Sequence, residues 1–124
     1  MLRAAFAASA LVIAGSVLSG FPEGQSLAPC DPDAPLTDAQ VARRRMAISA
    51  ARQINTAEAR IWAATKRYAP LNELTGVSIA EGFEAQVSTD GTSYTFSIKD
   101  LRDACRFAVF SDQQGLIYTA SPLR

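Results

Sequence analysis

Phe83-Glu84-Ala85-Gln86-Val87-Ser88-Thr89-Asp90-Gly91-Thr92-Ser93-Tyr94-Thr95-Phe96-Ser97-Ile98 is the stretch on which the fold turns. Asp90-Gly91 is a strong two-residue hairpin signal, because both positions tolerate positive φ. A two-residue loop pairs Val87 with Tyr94, Ala85 with Phe96 and Phe83 with Ile98, all apolar and on one face. The other face pairs Ser88 with Ser93, Gln86 with Thr95 and Glu84 with Ser97, all polar. A one-residue slip would destroy this segregation. The hairpin is therefore expected to cover a core with one face and meet water with the other.

Downstream, Phe107–Ser111 and Leu116–Ala120 predict a second hairpin around Asp112-Gln113-Gln114-Gly115. Gly115 suits the left-handed position that closes such a loop. Phe107-Ala108-Val109-Phe110 is apolar on both faces, which predicts a more central strand. The charged run Lys99–Asp103 joins the two hairpins.

Upstream lies a long helical segment. Thr37-Asp38-Ala39-Gln40 is a capping box, Leu36 and Val41 are placed as a hydrophobic staple, and Asp38 puts negative charge at the positive end of the dipole. No Gly or Pro follows until Pro70. The helix is thus expected to run to Tyr68, about 31 residues or ~46 Å, and to end because the residue before proline leaves the helical region. Leu71–Leu74 is expected to add one turn closed by Gly76. Ala47, Ala51, Ile54, Ile61 and Tyr68 form the apolar stripe, widened by Ile48 and Trp62, with Trp62 expected against the sheet. One long helix followed by four antiparallel strands is an α+β layout, with the helix on one face of the sheet.

The first residues set the compartment. Arg3 precedes an apolar run from Ala4 to Leu18. About 15 residues is short for a membrane span, which needs about 20, and the pattern is that of a secretory signal peptide. Cleavage after Ser19 is favoured over cleavage after Ala28. The expected organisation is a signal peptide at 1–19, a proline-rich arm at 20–35 and one domain at 36–124. Export makes Cys30 and Cys105, the two cysteines of the chain, most simply one disulfide that pins the arm to the sheet.

Composition excludes several classes. An apolar fraction of 48% and a charged fraction of 19% describe an ordinary globular chain. Formal net charge is zero, so gross charge calls for neither nucleic acid nor an anionic membrane. There is no histidine, which removes the commonest neutral-pH acid/base and the commonest zinc ligand. No nucleophile elbow, phosphate-binding glycine loop or metal-ligand spacing is present, so no cofactor is expected. The charge is unevenly spread: Leu36–Tyr68 holds seven basic and two acidic residues, whereas Pro70 to the end holds four basic and seven acidic. Arg43, Arg44, Arg45, Arg52, Arg60, Lys66 and Arg67 leave a flank of the helix basic. Arg45, Arg52, Arg60 and Arg67 are the candidate interaction surface, for an acidic partner, a polysaccharide or nucleic acid; the plainer alternative is a solvated helix face, its charge answered within the fold by the acidic sheet half. Glu58, between Ile54 and Ile61 on the stripe, is a candidate buried carboxylate with a raised pKa that could mark a site; the plainer alternative is that it reaches the stripe's edge or accepts bonds from backbone or a neighbouring Arg.

Tyr68-Ala69-Pro70-Leu71 with Leu74, then Gly82-Phe83, the Asp90-Gly91 hairpin with Tyr94-Thr95-Phe96, and the closing Phe110–Tyr118 segment follow one another in a telling order. In this order residues 37–120 resemble the type IV pilins and the pseudopilins of type II secretion. The resemblance implies a helix packed on an antiparallel sheet and work by protein–protein contact beside a pilus or secretion apparatus. It departs from the family at the start. Gly20-Phe21 matches the family's cleavage step, but Gln25 stands where those proteins carry a glutamate, Pro22 follows the cut, and the apolar run lies before it. A chain cut there has no hydrophobic stem with which to pack into a filament.

The expected function is therefore that of an exported, periplasmic or extracellular, non-catalytic pilin-like head with protein partners. Two alternatives stand beside it. One is a membrane-tethered subunit, if the apolar run is kept. The other is a small envelope hydrolase or carbohydrate-binding domain using the polar face of the sheet.

Overall fold

The computed structural model describes residues 29–121. The expected signal peptide, both cleavage positions, the Gly20-Phe21 step and the first part of the arm lie outside the described residues. The chain forms α1 (Asp38–Thr65), a 3-10 turn (Leu71–Glu73), β1 (Phe83–Thr89), β2 (Tyr94–Asp100), β3 (Ala108–Asp112) and β4 (Tyr118–Ala120). The strands make one antiparallel sheet in the order β1-β2-β3-β4, and α1 packs across β2 and β3. The fold is α+β, one helix on a four-stranded antiparallel sheet.

The start of α1 follows its capping box. Gln40 N donates to Thr37 Oγ1 at 3.2 Å, and Thr37 N donates to Gln40 Oε1 at 2.8 Å. Its end differs from expectation. The helix stops at Thr65, three residues before Tyr68, because Lys66 turns left-handed at φ 57°. The Thr65 hydroxyl donates to Ile61 O and accepts from Arg67 N, so a local side chain supplies what the next helical turn would have supplied. Pro70 then caps the 3-10 turn instead of ending the helix.

Small residues bring the helix close to the sheet. Ala47, Ala50, Ala51 and Ile54 are buried against Tyr94, Phe96, Ile98, Phe107 and Val109. Trp62 departs from its expected place: it is only half-buried and stacks on Tyr68, with ring centroids 4.6 Å apart. Tyr68 in turn meets Tyr94 edge-on at 4.7 Å, so Trp62 reaches the sheet through an intermediary ring.

The first hairpin keeps its faces and changes its register. Phe83, Ala85 and Val87 share the core face with Tyr94, Phe96 and Ile98, but Val87 pairs with Phe96, Ala85 with Ile98 and Thr89 with Tyr94. The register is two residues away from the one a two-residue loop dictates, so the faces survive. The loop is four residues long because Asp90 organises it. Asp90 Oδ1 accepts from Thr92 N at 2.8 Å, Ser93 N at 2.9 Å and both hydroxyls. Thr89 Oγ1 accepts from Gly91 N and donates to Ser93 O. Side chains therefore take the backbone groups that a tighter turn would have paired.

Gly91 sits at φ +89°, is buried, and accepts from Tyr68 N through its carbonyl at 3.0 Å. A Cβ there would lie 3.0 Å from the Arg67 guanidinium. Gly91→Ala should lower stability by about 1–2 kcal/mol, read by urea unfolding; an unchanged midpoint would contradict the role assigned to this glycine.

The second hairpin is shorter than expected. Its last strand is only Tyr118–Ala120, all exposed. Strand β3 is central, as its apolar character implies, yet Phe110 faces outward opposite Tyr118 and both are exposed.

Candidate functional site

The two cysteines are bonded, with Cα atoms 4.6 Å apart. Cys105 lies in the loop between β2 and β3, so the bond fastens the arm to that loop. Two ion pairs hold the end of β2 and the same loop to α1. Arg43 grips Asp100 with two hydrogen bonds, Nε to Oδ2 at 2.8 Å and Nη2 to Oδ1 at 2.6 Å. Arg44 approaches Asp103 at 3.9 Å, beyond hydrogen-bond reach. Both guanidiniums also lie over rings, Arg43 over Phe83 at 4.4 Å and Arg44 over Phe107 at 4.6 Å. Two of the seven basic residues are thus absorbed by the fold, as the acidic sheet half suggested.

The candidate surface residues divide. Arg45, Arg52 and Arg60 are exposed on the outward face of α1. Among the described residues none of the three is in an ion pair. Arg52 and Arg60, with Ser49, Gln53, Thr56, Thr75 and Gly76, line a hollow of about 270 Å³ between the helix and the following loop. Among the described residues no acid lines it. Gln53 Oε1 accepts from Ser78 N at 2.8 Å, which leaves the amide N–H groups of Gln53 as donors. Arg67 does not join this row. Because the helix ends at Thr65, Arg67 leaves the helical face and lies over Gly91, lining a different hollow with Thr65, Tyr68, Pro70 and Glu73.

Glu58 is buried, as its place on the stripe suggested, and Oε2 accepts from Ala69 N at 2.9 Å. This bond folds the post-helix segment back over the helix end. Oε1 is buried with no hydrogen-bond partner. Burial raises the Glu58 carboxyl above its ordinary value of 4.5, against the pull of the Ala69 bond. The neighbouring Tyr94 phenol is pushed up to about 12, first by its own burial and then by the negative charge of Glu58.

The sign of the Glu58 effect follows from linkage. The folded chain holds this proton more tightly than the unfolded one, so the contribution to stability is full below the unfolded value of 4.5 and is lost as pH rises through the folded value. Glu58→Gln should therefore gain on the wild type by about 1 kcal/mol between roughly pH 4 and pH 8, the scale of an unsatisfied buried polar atom. Parallel urea midpoints for the two proteins across that range would contradict it.

Beside Glu58, Asn55 performs a task that its sequence position did not announce. Asn55 Oδ1 accepts from Tyr94 Oη at 2.7 Å, and Asn55 Nδ2 donates to Ser111 Oγ at 3.0 Å. Ser111 Oγ donates to Leu116 O at 2.6 Å. One amide thus joins the helix to β2, to β3 and through Ser111 to the last loop. The only sign of it in the sequence was a polar residue beside the apolar stripe.

On the outer face of the sheet, Lys99, Arg106, Leu101, Ala108 and Phe110 line a groove of about 500 Å³ with Glu84 and Asp100. Tyr118 extends the exposed aromatic surface opposite Phe110. Among the described residues there is no cluster of three or more metal-ligating side chains, and no helix is long and apolar enough to cross a membrane. Comparison with known protein families, with curated proteins and with solved structures gives no match.

Proposed function

We propose that this is an exported, pilin-like head that works by protein–protein contact, accessory to a pilus or a type II secretion apparatus, and not by catalysis. The observation that carries the reading is the unspent charge on α1. The fold pairs Arg43 and Arg44 with Asp100 and Asp103, yet leaves Arg45, Arg52 and Arg60 exposed. Ion pairing within the described residues does not use these three, so a surface that meets another molecule is the role that fits them. The order of the elements, a helix laid over the central strands of an antiparallel meander, agrees with the pilin-like resemblance. The disulfide agrees with an oxidising compartment.

The test is the intact mass and location of the native chain. Loss of about 19 residues, with the protein in the periplasm or medium and its cysteines oxidised, is the expected result. A full-length cytosolic chain with free thiols would overturn export. Retention of the apolar run in the membrane fraction would favour the tethered form.

A second reading rests on Phe110 and Tyr118. Neighbouring exposed aromatics on an otherwise polar sheet face suit the apolar faces of sugar rings, and titration with a glycan panel followed by aromatic fluorescence addresses this. Saturable binding lost in Tyr118→Ala would favour a carbohydrate-binding domain.

A further inference from the structure

We infer that the outward face of α1 docks an acidic helix of a partner protein, with carboxylates spaced about two turns apart. This deepens the contact role proposed above and rests on it.

The core-facing side of α1 is set by Ala47, Ala50, Ala51, Ile54, Ala57 and Glu58. Directly opposite, at the helical angle farthest from the core, stand Arg45 and Arg52. Seven residues separate them, so they sit almost in line with ~10 Å between them along the axis. Arg60 continues the series eight residues on, about 80° around the helix from Arg52, and with Arg52 flanks the hollow closed by Thr75 and Gly76. The outward positions between them include Ser49 and Thr56, both exposed and both short. No long side chain stands between the arginines, so a second helix can approach to the 8–10 Å separation of packed helices with the guanidiniums reaching past its flanks.

The helix brings little negative charge of its own to this face. Its two acids are Asp38, in the first turn, and Glu58, buried on the opposite side. The charge is uniform in sign, and it repeats at the interval at which a regular helix presents one side chain every second turn.

Nucleic acid fits less well. A DNA strand carries one charge per ~3.4 Å of axis, so three arginines spread over ~22 Å of helix would meet few of its phosphates. Nor does an aromatic side chain stand on the outward face of α1 to stack bases.

The experiment uses the purified, oxidised full chain and fluorescence anisotropy with a designed alanine-rich helical peptide carrying glutamates at two-turn intervals. The controls are a permuted peptide of the same composition with its glutamates spread around the helix, a heparin oligosaccharide and a short single-stranded RNA. The expected result is binding that prefers the two-turn peptide and weakens with salt. Arg45→Glu with Arg52→Glu should weaken it by about tenfold or more, the effect of two lost pairs and two new repulsions. Lys99→Glu with Arg106→Glu, which makes the same charge change on the outer sheet face, should leave it within about twofold.

Failure to bind, equal binding of the permuted peptide, tighter binding of heparin or RNA, or equal losses in both double variants would overturn the inference. Self-association of the chain abolished by the helix substitutions would also overturn it, by assigning the face to a second copy. Native partners captured equally well by the wild type and by the Arg45→Glu/Arg52→Glu chain would keep the contact role and remove the acidic helix. Absence of any partner for either chain would count against the contact role itself.

Discussion

Arg43→Met should lower the stability of the folded chain by about 3–4 kcal/mol, the range in which removing one partner of a buried ion pair falls. The Asp100 side chain is completely buried, and Arg43 answers it with a bidentate grip. Asp100 Oδ1 also accepts from Arg102 N at 2.9 Å, but one backbone N–H does not offset a buried charge. Methionine keeps much of the arginine's volume and its contact with the Phe83 ring, so the loss reports the uncompensated carboxylate and not an emptied space. Arg43→Met combined with Asp100→Asn should recover a large part of the cost, because the orphaned charge is gone. Arg43→Lys should recover less, since an ammonium cannot reproduce the fork. Urea unfolding of the wild type, Arg43→Met, Asp100→Asn, the double variant and Arg43→Lys checks this. A double variant as unstable as the sum of the singles would mean that the pair is not coupled.

The second large effect is expected from the disulfide. Cys30→Ser with Cys105→Ser opens a loop with a sequence separation of 75, for which chain entropy gives a limit of about 4 kcal/mol. For a domain of this size a loss of about 3 kcal/mol corresponds to a fall of roughly 15 °C in the midpoint. The hydrogen bonds of Asp33 N and Ala34 N go to Asp31 and stay within the arm, so without the bond to Cys105 they do not hold the arm on the domain. Proteolysis should therefore cut the arm selectively in the reduced protein and leave α1 intact. A midpoint unchanged by reduction would show that the bond has no mechanical role.

The two effects also show how far the residues alone could be read. The segregation of the first hairpin was legible because period-two alternation survives a shift of two residues. Its register was not, because that depended on whether Asp90 would turn its carboxylate onto Thr92 and Ser93 or leave a tight Asp-Gly turn. The helix start was legible from Thr37 and Gln40, which act on each other locally. The helix end was not, since Thr65 and the left-handed Lys66 stopped it before Pro70 had any say.

The same limit governs the basic flank. Charge counting puts seven basic residues on one flank, yet Arg43 and Arg44 turn towards Asp100 and Asp103, which are far away in sequence. Arg67 leaves the row because the helix stops short. What remains outward, Arg45, Arg52 and Arg60, is the part that no ion pair within the described residues claims. Asn55 was the least legible, because its contacts belong to strands and loops that come together only in the folded chain.

The convergence of both ion pairs and the disulfide on the end of β2 and the loop that follows it has a consequence for biogenesis. Cys30 precedes the helix, and Cys105 follows the first two strands. In an unfolded chain a loop of this length closes rarely, at an entropic cost that grows with its length. Once Arg43 has found Asp100 and α1 lies across β2, the same thiols stand at bonding distance. Oxidation is therefore a record of completed assembly: a molecule whose helix has not docked keeps its thiols open to exchange with other partners. Oxidants acting on this chain would sort docked molecules from undocked ones.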